Sequence, residues 1–186
     1  MIGLKMNHND YVELLRDGVP GPGEVWADFG SGSGAFTLAL AELIVPGGEI
    51  FSIDRDATAL SSQEAMFRTL PADQKPILHF LLADFTNLLQ LPLLDGAVIA
   101  NALHFQRRKD AVLRQIFVYL KPGAHLILVE YNVERGNPWV PYPISYPSWE
   151  MLACTCGFVN THLLATKPSR FLNEIYSAVS IKPSTG

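Results

Sequence analysis

The chain has 186 residues, 48% of them hydrophobic and 17% charged, and a formal net charge of −4. That length suits one domain burying roughly 70% of its unfolded surface. No apolar run reaches the roughly 18 to 20 residues of a membrane span, and the acidic excess speaks against nucleic acid or an anionic membrane as partner.

The amino terminus, MIGLKMNHNDY, lacks the basic head and long apolar body of a secretory signal, so a cytoplasmic address is expected. A short helix is expected over residues 10–16, capped by Asn9 or Asp10, and GVPGPG at residues 18–23 breaks it. Strand one runs over 25–29, followed by GSGSG and a helix over 35–43 that Pro46-Gly47-Gly48 ends. Strand two covers 49–53, and a second helix over 57–70 takes Asp56 as its cap. Strand three covers 77–83 and strand four 96–100. A helix over 109–120 stops at Lys121-Pro122-Gly123, and strand five covers 125–130. Near-continuous Val/Ile/Leu strands alternating with amphipathic helices imply a parallel sheet covered on both faces, doubly wound by right-handed crossovers.

The chain then changes character. Residues 131–147 form a Pro- and aromatic-rich loop, followed by a helix over 148–156. Strands are expected over 159–166 and 174–181, with Lys167-Pro168-Ser169 between them. So short a connection permits only a hairpin, which gives the sheet an antiparallel edge. Cys154 and Cys156 are too close in sequence for an unstrained disulfide and do not complete a zinc site, so they read as half-buried thiols in a helix. The basic run Arg107, Arg108 and Lys109 reads as a solvated helix start.

Chemistry concentrates at the strand ends. The run Asp28-Phe29-Gly30-Ser31-Gly32-Ser33-Gly34 sits at a strand-to-helix junction, where glycines allow a tight turn and close approach of a ligand. By itself it serves either a nucleoside methyl donor or a dinucleotide, since Gly30, Gly32 and Ala35 also fit the permissive dinucleotide fingerprint. Asp54, ending strand two, can accept hydrogen bonds from ribose hydroxyls. Asp84 and Phe85, ending strand three, suit an adenine, the acid accepting from the exocyclic amine and the ring packing on the base. A cap for the following residues is the other reading of Asp84.

The ordered series DFGSGSG, SIDRD, LLADF, LDGAVIANALHF and LKPGAHLILVEYN resembles the motifs of class I S-adenosylmethionine-dependent methyltransferases, nearest the small-molecule branch similar to quinone-biosynthesis methylases. The resemblance covers residues 25–132. It implies an α/β, doubly wound, mostly parallel seven-stranded sheet in the order 3-2-1-4-5-7-6, with an antiparallel terminal strand and helices on both faces. The whole of 1–186 would then be one methyltransferase domain, with 1–23 as an amino-terminal helical segment and 131–147 as a substrate loop. It places Gly30, Ser31, Gly32 and Gly34 around the methionyl part and ribose of S-adenosylmethionine, Asp54 on the ribose, and Asp84 and Phe85 at the adenine. Asn101 then faces the donor, and Asp28 orients the donor's amino group or its loop.

Departures narrow the chemistry. Asn101-Ala102-Leu103-His104 stands where amino methylases of nucleobases or protein glutamine carry Asn/Asp-Pro-Pro-aromatic. There is no Pro-Cys pair, and no catechol-type magnesium site is evident, so no metal is expected. The expected reaction is an in-line displacement onto a small-molecule acceptor, accelerated mainly by holding the partners aligned and dry. His104, just past strand four, is the candidate general base, with packing or loop hydrogen bonding as the equal alternative. His8 is a weaker candidate, and His79, His125 and His162 read as structural. In the loop, Tyr131, Arg135, Trp139 and Tyr142 suggest a planar or carboxylated acceptor, or simply fold the loop onto the sheet. Two rival functions stand beside this one. One is a non-catalytic binding or partner protein of the same fold. The other is a dinucleotide-dependent oxidoreductase, for which no Tyr-x-x-x-Lys pair is present.

Overall fold

The computed structural model describes residues 6–184, so residues 1–5 of the expected amino-terminal segment lie outside it. Along the chain run α1 (His8–Arg16), β1 (Val25–Phe29), α2 (Ala35–Ile44), β2 (Glu49–Asp54) and α3 (Ala57–Arg68). There follow β3 (Ile77–Leu82), β4 (Leu94–Ala100), α4 (Lys109–Tyr119), β5 (Leu120–Tyr131), α5 (Tyr146–Thr155), β6 (Val159–Ser169) and β7 (Asn173–Ile181). The seven strands form one sheet in the order β3-β2-β1-β4-β5-β7-β6. β3, β2, β1, β4 and β5 are parallel neighbours, while β7 is antiparallel to both β5 and β6.

Alternation along the strands separates two cores. On one face Ala27, Phe29, Ala97 and Ile99 pack beneath Val112, Leu113 and Ile116 of α4 and Trp149 and Ala153 of α5. On the other, Trp26, Val98 and Ile127 pack beneath Leu14 and Leu15 of α1, Leu40 and Ile44 of α2 and Phe67 of α3. The central strands are buried on both faces, which is why they read as unbroken apolar runs. The chain moves outward from β1 to β3, then returns to lay β4 on the other side of β1. The carboxyl ends of β1 and β4 therefore diverge into a crevice, the usual ligand position in such a sheet.

Several boundaries differ from expectation for identifiable reasons. Helix α1 starts two residues earlier, because Asn7 is its cap: the Asn7 side chain accepts from the Asp10 N–H while Asp10 accepts from the Asn7 N–H. Asp10 is thus the reciprocal partner in a capping box instead of the cap. Strand β5 begins at Leu120, since Leu120 pairs with Leu94 before Lys121-Pro122-Gly123, which was expected as the break. Helix α5 begins at Tyr146 because Ser145 caps it. Lys167-Pro168-Ser169 lies within β6 and pairs with β7, so the turn falls at residues 170–172. A proline is admissible there because β6 is the sheet's outer strand and needs only one hydrogen-bonded side. No helix among the described residues is long and apolar enough to cross a membrane.

Candidate active site

The chain leaves β1 at Phe29 and bends over the sheet, with the N–H groups of Gly30 and Ser31 both donating to the Ile53 carbonyl, at 2.9 and 3.0 Å. Two glycines of the loop are needed for different reasons. Gly34, at φ +87°, opens α2, and a Cβ on it would lie 2.6 Å from the Gln63 side chain. Gly32, at φ +53°, has nothing among the described residues within 4 Å of where a Cβ would stand, so its bare backbone faces a hollow that a larger residue would fill.

A buried polar network underlies this loop. Gln63 of α3, fully enclosed, donates from Nε2 to Ser31 Oγ at 2.9 Å and to the Gly32 carbonyl at 2.6 Å. Ser52 Oγ lies 2.9 Å from Gln63 Oε1 and 2.8 Å from Ser31 Oγ. Gln63→Leu leaves two hydroxyls and a carbonyl without this partner, at about 1–3 kcal/mol for each buried group that stays unsatisfied. The expected outcome is a loss of about 2–4 kcal/mol of stability. Urea unfolding should show it as a lower midpoint with an unchanged slope.

Asp28, Asp54 and Asp84, at this end of the sheet, stand in three different surroundings. Asp28 is buried behind the glycine loop, with Oδ2 accepting from the Thr37 hydroxyl at 2.6 Å and Oδ1 lacking any partner among the described residues. Burial pushes its pKa up to about 7, the Thr37 hydroxyl opposing the rise and the charge of Asp54 adding to it. Asp54 accepts the Gly32 N–H on one oxygen at 2.7 Å and the Asp56 N–H on the other at 2.9 Å, which leaves each oxygen further lone-pair capacity. Asp84 accepts both the N–H and the hydroxyl of Thr86 on Oδ1, at 2.9 and 2.7 Å. Those bonds hold its carboxyl below the usual range, and Arg55 contributes in the same direction. The turn after Asp84 is therefore built by the acid, with no helix following until residue 103.

Gly30, Gly32, Asp54, Asp84, Phe85 and Asn101 line a cavity of about 330 Å³ at the carboxyl ends of the strands, together with Arg55, Asp56, Phe105 and Gln106. That volume is at the lower end of small-ligand sites. Phe85 is 8% exposed and meets Phe29 edge-on at 6.3 Å. Asn101 adopts the left-handed region at φ 51°, and its Oδ1 is buried without a partner among the described residues. An uncommon backbone region and an unsatisfied polar atom on one residue, in a cavity wall, mark a place prepared for a ligand. Asp28, Ser31 and Gly34 stand behind this wall and act on the loop's shape. A larger cavity, about 470 Å³, lies elsewhere between His8, Leu38, Glu42 and Leu70, with mainly apolar walls. His8 pairs there with Glu42 at 2.8 Å, so it does not face the strand ends as a base would.

His104 is 3% exposed and turned onto Glu130, the penultimate residue of β5, at 2.8 Å. Its ring lies 4.2 Å from Phe105 and 6.1 Å from Tyr131. Tyr131 meets Phe171, from the β6–β7 turn, at 5.7 Å, and exposed Trp139 meets the same ring at 6.1 Å. The Tyr142 N–H donates to the His104 carbonyl at 3.0 Å, and Lys109 Nζ is 5.7 Å from the Tyr142 ring. Burial holds the Lys109 ammonium below its ordinary pKa, with Glu130 opposing that shift. Tyr131 and Tyr142 thus meet His104, and Trp139 connects to it only through Phe171 and Tyr131, whereas Arg135 is exposed and makes no hydrogen bond or ion pair among the described residues. Glu130, Phe171 and Gln63 escaped sequence reasoning. Glu130 was visible as a charge inside an apolar strand, but nothing local pointed to Phe171.

A sheet in this order, with an antiparallel seventh strand and a lined hollow where β1 and β4 diverge, is the fold of class I S-adenosylmethionine-dependent methyltransferases. The chain belongs to the methyltransferase domain family, whose model matches residues 21–174. Among solved structures it resembles a SAM-dependent methyltransferase from Methanosarcina mazei, at 18% identity and TM-score 0.72 over 98% of this chain and 100% of that one. It also resembles the Burkholderia thailandensis 1,6-didemethyltoxoflavin-N1-methyltransferase, at 16% identity and TM-score 0.73 over 95% of this chain and 78% of that one. A third likeness is to phosphoethanolamine N-methyltransferase 2 of Haemonchus contortus, at 15% identity and TM-score 0.76 over 95% and 53%. No curated protein matches the chain in sequence.

Proposed function

We propose that the chain methylates a small-molecule acceptor, acting as one domain over 1–186, with the cavity at the strand ends holding S-adenosylmethionine and the 131–147 loop receiving the acceptor. The observation that carries the donor site is the buried, unpartnered Asn101 Oδ1 in a wall that also presents bare Gly32 backbone and two acids with lone pairs to spare. Asp54 would hold the ribose hydroxyls, Asp84 and Phe85 the adenine, and Asn101 the remaining polar contact. Gly30 and Gly32 would keep the approach open, while Asp28, Ser31 and Gly34 fix the loop's course. Bound there, S-adenosylmethionine supplies a methyl group on a positively charged sulfur, already activated for in-line displacement.

The chain's own contribution is then alignment, exclusion of water and, where the acceptor arrives protonated, removal of a proton at His104. The aromatic rings of Tyr131, Trp139 and Phe171 favour a planar acceptor, and the half-buried Lys109 ammonium favours one with a negative group. Solved neighbours that carry 1,6-didemethyltoxoflavin or phosphomonomethylethanolamine beside S-adenosylhomocysteine support a small-molecule acceptor.

Thermal unfolding with S-adenosylmethionine, S-adenosylhomocysteine, NAD and NADP tests the reading. A ligand at a hundred times its Kd adds about 2.7 kcal/mol to stability. Stabilisation by the first two alone is the expected result. Stabilisation by a dinucleotide alone would reject the donor site.

A further inference from the structure

The His104–Glu130 pair is enclosed to an unusual degree, with the two side chains 4% and 0% exposed. The carboxylate makes two bonds to one residue: Oε1 accepts the His104 backbone N–H at 3.0 Å, and Oε2 lies 2.8 Å from Nδ1 of the ring. The Tyr131 N–H also approaches Oε2, at 3.4 Å. An ionised carboxylate has only lone pairs to offer, so Nδ1 must bring the hydrogen. Nε2 makes no hydrogen bond among the described residues, and the ring lies tilted at 50° against Phe105, which lines the donor cavity.

We infer that Glu130 is a positioning residue that fixes His104 in the Nδ1–H tautomer, so that Nε2 carries the lone pair and is the atom that takes up a proton. This deepens the reading of His104 as general base and rests on it only for the use made of that lone pair. An acceptor bearing an O–H or N–H then has a defined atom to which its proton passes. The imidazole becomes imidazolium beside the Glu130 carboxylate, which stabilises the new charge. The charged group facing the pair from the next helix is Lys109, whose ammonium opposes that stabilisation, and the phenols of Tyr131 and Tyr176 lie within reach of the same carboxylate. Glutamine cannot replace Glu130, because it offers one oxygen to two donors and sets an NH₂ against whichever remains.

Long-range ¹H–¹⁵N correlation spectra of the intact chain test this without any ligand, with His104 assigned from the signal missing in His104→Gln. In the wild type, Nδ1 should show the shift of a protonated nitrogen and Nε2 that of a bare one, and on acidification the Nε2 resonance should be the one that moves. In Glu130→Gln the tautomeric preference should be lost while the Kd for S-adenosylhomocysteine stays within about twofold, or 0.4 kcal/mol. A bare Nδ1 in the wild type, or an unaltered tautomer in folded Glu130→Gln, overturns the inference. If Glu130→Gln does not fold, the wild-type spectrum decides alone. The donor-binding experiment is independent of the tautomer, so its failure is told apart from failure here.

Discussion

Asp54→Ala is expected to weaken binding of S-adenosylhomocysteine about a hundredfold. The carboxylate that would meet the ribose is already anchored by the Gly32 and Asp56 N–H groups, so it is pre-set and loses little freedom when a ligand arrives. Hydrogen bonds to a charged acceptor contribute about 1.5–3 kcal/mol each, and a hundredfold change in Kd corresponds to about 2.8 kcal/mol. Part of the loss is indirect, since alanine also frees the Gly32 N–H and slackens the loop. Asp54→Asn separates the two effects: its amide keeps the volume and one acceptor oxygen but no charge, and a loss of about tenfold is expected. Isothermal titration of both variants with S-adenosylhomocysteine reads the result. A wild-type Kd in Asp54→Ala would remove this residue from the donor site.

Asp28→Asn should stabilise the ligand-free protein at pH 8 and leave it little changed near pH 4. The sign follows from burial. The folded-state pKa is raised from 3.8 to about 7, so the folded chain resists ionisation that the unfolded chain undergoes freely. Below pH 3.8 both states are protonated and the group is neutral in effect. Stability then falls as pH rises between 3.8 and about 7, and above that the full penalty applies. Each pKa unit corresponds to about 1.4 kcal/mol, which puts the penalty on the order of 4 kcal/mol. Asparagine keeps the Thr37 hydrogen bond through its oxygen and has no charge to bury. The predicted Tm gain at pH 8 is on the order of 10 °C, from the usual 2–4 °C per kcal/mol in a chain of this size. Equal pH slopes in the two proteins would mean that Asp28 ionises without penalty and that its enclosure is relieved by water.

Both positions are legible in the sequence because each lies at a strand end next to a turn, and the turn is written in adjacent residues. Asp54 with Asp56 and Asp84 with Thr86 are clusters bonded within two residues, and Gly30 to Gly34 shows in the sequence as a dense run of turn-permitting glycines. The cap of α1 was less legible, since Asn7, Asn9 and Asp10 are all suitable, and only the reciprocal bonds between Asn7 and Asp10 choose between them. The extent of β6 was misjudged for a related reason. Pro168 marks a turn in most contexts, and only its place on the outermost strand makes it admissible within one.

Local periodicity and turn chemistry thus determined the alternation of strands and helices and the hollow beside the glycine loop, because both depend on neighbours in the chain. The sheet order came from the likeness of ordered motifs to a known family, since strand pairing is a non-local choice that periodicity leaves open. Tertiary structure alone decided the pairing of His104 with Glu130, the bracing of the loop by Gln63 and the meeting of Tyr131 and Trp139 on Phe171. Each of these joins residues 26 or more positions apart. Such contacts exist only after the sheet has brought its strand ends together, and no spacing along the chain records them.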